Sequence, residues 1–376
     1  MFDKLNPLLE QMVQHKASDL YLTYGCPASI RLSDRIMTVD NAPLTEEQVR
    51  TYMEELLDEE QLDEFETTLE YNSAINWMDR ARFRINAFRQ QQHTALVIRR
   101  IQTEIPTIEE LGLPEAYRNL VMERRGLVLV VGPTGSGKST SLAAMIGHRN
   151  RNGSGHIITI EDPVEFVHTH QGCIISQRDV GIDTYSFGMA LKNALRQRPD
   201  VVLIGEVRDR ETMEHAINFS ETGHLVLATL HANNANQAIE RALNFFPEEK
   251  HHQILLNLSL NLKGVLSQRL VLNKKQGRSL AVEVLLNSGL IKTLIEEGKI
   301  RDIKEMMEKS RDAGMQTFDQ SLFDLYAQGL VDQDVAIAEA DNPANLRLNI
   351  RQATTGRTLQ SATTPSAPSD SDSFKI

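Results

Sequence analysis

The apolar positions of the first hundred residues change period several times. Phe2, Leu5, Leu8, Leu9, Met12 and Val13 recur at helical spacing, and Asp19-Leu20-Tyr21-Leu22-Thr23 then alternates like a half-buried strand. Thr45 with Gln48 three residues on is a capping-box signature ahead of Val49, Met53, Leu56 and Leu57, and predicts a second helix. Strand patterns follow near 70–77, 82–88 and 94–101. Residues 1–103 are therefore expected to form a small α+β domain with a mainly antiparallel sheet.

Pro106 and the Gly112-Leu113-Pro114 turn mark the change to a different pattern. Continuous apolar runs at 127–131, 156–160, 201–204 and 225–230 are separated by helix-length segments. Such runs suit a parallel sheet covered on both faces, so residues 104–285 are expected to form an α/β core. Helical patterns at 291–297, 303–309 and 318–327 predict a small helical appendage over 286–345. The Ser, Thr, Pro, Ala and Asp of 354–373 are too poor in large apolar groups to offset chain entropy. Residues 346–376 are expected to be a disordered tail.

The length of 376 residues fits two domains plus extras. A formal charge of −11, with both signs interleaved, argues against nucleic acid or an anionic membrane as a direct partner of the whole molecule. Cys26 and Cys173 are far apart and lack any Cys-x-x-Cys spacing, which argues against a zinc ribbon or disulfide framework and fits a reducing cytosol. Asp3, Lys4 and Glu10 fall where a signal peptide needs an apolar core, and no run approaches the roughly 20 apolar residues of a membrane span. The expected location is cytoplasmic, with membrane contact only through partners.

Candidate chemistry centres on Gly132-Pro133-Thr134-Gly135-Ser136-Gly137-Lys138-Ser139. This phosphate-cradling loop follows an apolar strand and opens a helix-compatible segment, the context that separates a P-loop from a chance glycine-rich turn. Backbone N–H groups and the helix N-terminus would face the phosphates of ATP. Lys138 would bridge the β- and γ-phosphates and Ser139 would ligate Mg²⁺, with Thr140 completing the binding set.

Val201-Val202-Leu203-Ile204-Gly205-Glu206 ends in an acid placed to hold Mg²⁺ through water, although a solvated strand-end acid has the same form. Glu161-Asp162-Pro163-Val164-Glu165 follows the strand ending at Ile160 and offers a carboxylate to orient the attacking water; a polar loop fits the spacing equally. His231 closes the strand at 225–230, where its ring could reach a γ-phosphate, though a lone histidine at a strand end is usually a satisfied surface group. His224 opens that strand and suits a structural or relay role. Arg82 and Arg84 alternate onto one strand face, with Arg99 and Arg100 at the end of another. They could clamp a γ-phosphate from another domain or subunit, or simply line an exposed sheet face.

In this order these elements resemble the boxes of the secretion-type ATPases that drive type II secretion and type IV pili, over nearly all of residues 1–335. Ile160 to Phe166 looks like the Asp box, with Glu165 at the catalytic carboxylate. Asp200 to Glu206 looks like an atypical Walker B in which Glu replaces Asp. Glu221 to His231 looks like the His box, so His224 and His231 take that role by resemblance. The short N-terminal region and the segments 82–88, 109–112 and 314–317 look like the retraction branch, the PilT/PilU family.

The resemblance implies a PAS-like N-terminal domain, a RecA-like ATPase core, and a homohexameric ring with ATP at subunit interfaces. Arg82, Arg84, Arg99 and Arg100 would approach the nucleotide as the N-terminal domain closes on a core. The work implied is ATP-driven pilus retraction and twitching motility, with a PilT-type retraction ATPase and an inner-membrane pilus platform protein as partners. PilT proteins typically carry Ala-Ile-Arg-Asn-Leu-Ile in the helical region, where this chain has Leu290-Ile291-Lys292-Thr293-Leu294-Ile295. That departure, with the Ser/Thr/Pro tail, points to the accessory PilU type.

Overall fold

The computed structural model describes residues 2–32, 35–78, 80–101 and 104–362, with side chains described through residue 353. The first part runs α1 (Asn6–Gln14), β1 (Asp19–Thr23), β2 (Pro27–Leu32), β3 (Arg35–Pro43), α2 (Glu46–Leu56), α3 (Glu59–Thr68), β4 (Glu70–Trp77), β5 (Ala81–Gln90) and β6 (His93–Ile101). The capping box of Thr45 and Gln48 starts α2 as the sequence predicts, and a second box at Asp58 and Gln61 starts α3, which the apolar pattern did not reveal. The six strands form one sheet in the order β3-β2-β1-β6-β5-β4, every neighbouring pair antiparallel. Along β5, Phe83, Ile85 and Ala87 are buried in the hydrophobic core of this part. The strand's period of two therefore turns Arg82 and Arg84 to the opposite face.

The second part runs α4 (Glu115–Val121), β7 (Gly126–Val131), α5 (Lys138–Asn152), β8 (Gly155–Glu161), β9 (Cys173–Asp179), α6 (Phe187–Ala194), β10 (Val201–Ile204), α7 (Arg210–Glu221), β11 (Leu225–Leu230), α8 (Ala235–Asn244), α9 (Glu248–Asn261), β12 (Leu262–Leu272) and β13 (Arg278–Leu286). Its sheet is ordered β13-β12-β7-β11-β10-β8-β9, parallel throughout except for β13 against β12. The apolar runs of the central strands divide between two cores. Leu127, Leu129 and Val131 pack into one, and Val128 and Val130 into the other. Burial on both faces is the reason these strands show no polar alternation. The edge strand β9 and the pair β12–β13 escaped the sequence reading because polar residues interrupt their apolar runs.

β7 lies between β11 and β12, so the loop leaving it opens between neighbours reached by different crossovers, where α/β sheets bind ligands. Gln268 of β12 supports the loop from behind, its side-chain amide donating to the hydroxyls of Tyr117 and Ser141.

The C-terminal residues do not behave as one appendage. Ile291, Leu294 and Ile295 of α10 (Leu290–Glu296) and Ile303 and Met307 of α11 (Ile303–Lys309) join the core that holds the sheet. Only α12 (Phe318–Ala327), α13 (Gln333–Ala338) and α14 (Pro343–Ala362) build a separate cluster, around Phe318, Leu322, Val271 and Ala281. The expectation of disorder from residue 346 is corrected over 346–362. There α14 continues, anchored by buried Leu346 and Ile350 four positions apart on one helical face. The rest of the expected tail, 363–376, lies outside the described residues.

Candidate active site

The loop from β7 to α5 is built for an anion. Gly132 has φ +153°, and a Cβ there would lie 2.5 Å from the carbonyl oxygen of Gln268, so glycine alone fits. Gly137, at φ 88°, is the N-cap of α5 and offers no capping side chain, which leaves the first amides of the helix pointing out of its end. Lys138 Nζ donates to the carbonyl oxygens of Gly132 and Pro133, each at 2.9 Å. Its ammonium is thus folded onto the loop that would cradle a phosphate. Burial lowers its pKa, while the nearby charges of Glu206 and Glu165 act the other way.

The carboxyl ends of β7, β8, β10 and β11 and the head of α5 enclose a cleft of about 550 Å³. Lys138, Ser139, Thr140, Glu161, Glu165, Glu206 and His231 all line it. Residues singled out from sequence therefore meet in one place: Thr134, Gly135, Gly137, Lys138, Ser139 and Thr140 of the loop and helix start, with Glu165, Glu206 and His231 from three other strand ends. Glu206 just past β10 is held on both sides. Nε2 of His231 lies 2.9 Å from its Oε1, and Nε of Arg208 donates to its Oε2 at 2.7 Å. Arg208 also reaches toward Asp162, with NH1 3.6 Å from Oδ2. Glu165 stands exposed in the cleft.

Glu161 ends β8 at the back of the cleft, where the Thr159 hydroxyl donates to its Oε1 at 2.7 Å. Burial, assisted by the charge of Glu165, pushes its pKa up to about 7. A recess of about 30 Å³ lies behind it, lined also by Ser139, Thr159 and His168. Burial pushes the His168 imidazole down to about 4, so it is neutral at physiological pH.

Other candidates lie elsewhere. His224 sits at the opposite end of β11 from the cleft, its Nδ1 3.1 Å from the Phe219 carbonyl oxygen and its ring edge-on to the Phe219 ring. Arg99 Nε donates to Asp19 Oδ1 at 2.8 Å, and the backbone amide of Arg100 bonds to Ser18. Arg82 and Arg84 are not among the residues lining the cleft. Their positive charges oppose the upward push of burial on the pKa of Asp179.

Sequence reasoning missed Arg208, although it stands only two residues beyond Glu206. It also missed a second recess of about 820 Å³ on the other flank of the loop. This recess is lined by Thr134 and Gly135 together with Arg269, Leu270 and Arg278. No sequence signal links those positions, because β12 and β13 follow the loop by more than 120 residues.

The donor chemistry of the cleft fits Mg²⁺. A hydroxyl (Ser139) and a carboxylate (Glu206) are hard oxygen ligands, and Mg²⁺ commonly takes one or two such groups, the remainder being phosphate oxygens and water.

Residues 2–337 match the family model described as type II/IV secretion system protein. The chain is 52% identical to the type IV pilus ATPase PilU of Pseudomonas aeruginosa, over 92% of this chain and 90% of that protein. It is 40% identical to the type IV pilus retraction ATPase PilT of the same organism, over 91% of this chain and 99% of that one. The crystal structure of the pilus retraction motor PilT with bound ADP superposes with a TM-score of 0.85 at 38% identity, covering 92% of this chain and 99% of that one.

Proposed function

The chain belongs to the type II/IV secretion system protein family, among the PilT/PilU type IV pilus ATPases, and from that premise we propose that it hydrolyses ATP to drive pilus retraction as an accessory, PilU-type motor. The observation that carries the reading is the convergence of Lys138, Ser139, Glu165, Glu206 and His231 on one cleft at the head of α5. Residues 104–285 act as the RecA-like core, 1–103 as the PAS-like N-terminal domain, and 286–345 as the C-terminal helical region.

The loop 132–140 binds the phosphates of ATP through its amides, Lys138 turns from the loop carbonyls to the β- and γ-phosphates, and the nucleoside extends into the recess beside Arg269. Ser139 and Glu206 hold Mg²⁺, which supplies charge neutralisation at the phosphates when bound. Glu165 orients the attacking water and accepts its proton. His231 is tied to Glu206 and so is placed to register loss of the γ-phosphate. Six copies form a ring in which Arg82 and Arg84 reach a nucleotide across an interface. The ring works at the cytoplasmic side of the inner membrane with a PilT-type ATPase and the pilus platform protein. No described helix is long and apolar enough to cross a membrane.

A second reading makes the chain a nucleotide-dependent module that assists a PilT ring, its own hydrolysis dispensable. It draws on α10. Ile291, Leu294 and Ile295 are buried anchors, so the departures from the retraction motif, Lys292 and Thr293, fall on the exposed face, where partners dock. Purified protein separates the readings together with twitching assays. ATP turnover abolished by Glu165→Gln, with motility lost in cells carrying Lys138→Ala, supports the motor. Normal motility with Lys138→Ala sinks it.

A further inference from the structure

Arg208 follows Glu206 by two residues in the turn from β10 to α7, and its backbone is fixed on both sides. The amide of buried Val207 donates to the Thr229 carbonyl oxygen of β11 at 2.9 Å, and Asp209 caps α7 by accepting from the Thr212 amide at 2.8 Å. The Arg208 side chain, by contrast, is 58% exposed, against 19% for the Glu206 side chain it grips. Its Nε donates to Glu206 Oε2 at 2.7 Å, and its Nη2 lies 2.7 Å from the same oxygen. His231 Nε2 stands against the other oxygen, Oε1.

Two guanidinium nitrogens against one oxygen crowd both of the lone pairs it offers. A metal-bound water can hydrogen-bond to Oε2 only once the guanidinium leaves it. Charge acts in the same direction as crowding. Glu161, Asp162, Glu165 and Glu206 all line the cleft, and the lysine and arginine side chains among its described lining residues are those of Lys138 and Arg208. Lys138 Nζ is turned onto the loop carbonyl oxygens, so it is the guanidinium that stands on Glu206. A positive charge at that distance repels a divalent ion from the same carboxylate. The attachment is also of a kind that gives way. Exposed ion pairs are individually weak, and Nη1 is already 3.6 Å from Oδ2 of Asp162, a second carboxylate on the cleft wall.

We propose that Arg208 is a positioning residue that guards the metal-holding carboxylate: its guanidinium keeps Glu206 Oε2 from free divalent cations and yields that oxygen to a cation that arrives with nucleotide phosphates. The phosphates make the difference. They bring several negative charges beside Glu206, which strengthen the hold on a divalent ion and offer the displaced guanidinium another anion in the same cleft. Metal is thereby admitted with nucleotide and resisted without it. The inference rests on the reading of Glu206 as a Mg²⁺ ligand given above.

The test is Mn²⁺ binding by the full-length chain, followed by electron paramagnetic resonance without nucleotide and with ADP, for the native protein, Arg208→Gln, Glu206→Gln and the double variant. Arg208→Gln removes the charge and the fork but keeps a polar side chain. Without nucleotide it is expected to bind Mn²⁺ about tenfold more tightly than the native protein, the scale of one cation's repulsion of a divalent ion over a few ångströms in a water-like medium. With ADP the gain is expected to shrink to within about threefold, and in the double variant to vanish. An arginine that merely braces Glu206 gives the opposite sign, because its loss weakens metal binding. Weaker or unchanged Mn²⁺ binding in Arg208→Gln therefore overturns the proposal, as does a gain equally large with ADP or one that survives in the double variant. Mn²⁺ binding with ADP that is indifferent to Glu206→Gln fails the metal reading of Glu206 instead. Should Arg208→Gln not fold, Arg208→Lys, which keeps the charge but loses the fork, is read in the same way. Binding about threefold tighter supports the guard, and unchanged binding overturns it.

Discussion

Nε2 of His231 lies 2.9 Å from Oε1 of Glu206, joining the end of β11 to the end of β10 across the cleft. With Arg208 on the other oxygen, Glu206 is fixed before any nucleotide arrives. Glu206→Gln keeps the shape but not the charge that both partners bind. Turnover is expected to fall by about 10²-fold or more, the scale of losing one preorganised electrostatic group. Affinity for nucleotide without Mg²⁺ should stay within a few-fold. Phosphate release and fluorescent-nucleotide titration check the two halves, and undiminished turnover removes Glu206 from the site.

Lys138 is held by two carbonyl oxygens of its own loop, so removing it frees acceptors that water can reach. Lys138→Ala is therefore expected to leave the melting temperature within about 2 °C, in keeping with the small effects of changes that leave no buried group unpaired. ATP affinity should drop by about 10²-fold, the value of a charge-assisted contact to phosphate. Calorimetric titration and thermal denaturation of the same sample measure both.

Gly132 cannot accept a side chain. Gly132→Ala would force a Cβ against the Gln268 carbonyl oxygen and strain a backbone at φ +153°. A cost of about 1–3 kcal/mol or more is expected, with nucleotide binding lost as the loop shifts. A variant that melts with the native protein and binds ATP normally would contradict this geometry.

Glu283 of β13 is buried, accepting from the Ser267 hydroxyl at 2.9 Å and the Ala235 amide at 2.6 Å. Burial pushes its pKa up to about 7 from 4.5. Between those values the folded chain keeps a proton that the unfolded chain releases. Its contribution is therefore full below about pH 4.5 and is lost as pH rises through 7, a change on the order of 3 kcal/mol at most. Glu161 acts in the same direction. Glu283→Gln cannot ionise, so its stability should fall less than that of the native chain between pH 5 and pH 8. Parallel melting curves for the two proteins across that range would refute the assignment.

Much of the fold was legible because its signals are local. The capping box at Thr45, the apolar runs of β7, β8, β10 and β11, and the helical spacing of α10 to α12 each lie within a dozen residues. β3, almost wholly exposed, and β12, whose apolar run is broken by Ser267, Gln268 and Arg269, carried no clean period. α14 was hidden by composition. Its two anchoring residues, Leu346 and Ile350, are too few to mark a helix without knowledge of the cluster that receives them.

The P-loop, the residues offered to it, and the two-sheet plan were determined by the sequence alone. A loop glycine, a strand-end acid and a helix start depend on neighbours a few bonds away. The tertiary structure alone decided which charges meet. Sheet order brings β9 beside β8 and β11 beside β10, and so sets Asp179 next to Glu161 and His231 against Glu206. It also kept Arg82 and Arg84 off the cleft of their own chain. Electrostatic partnership depends on distance and burial in space, and chain crossovers erase that information from the order of residues.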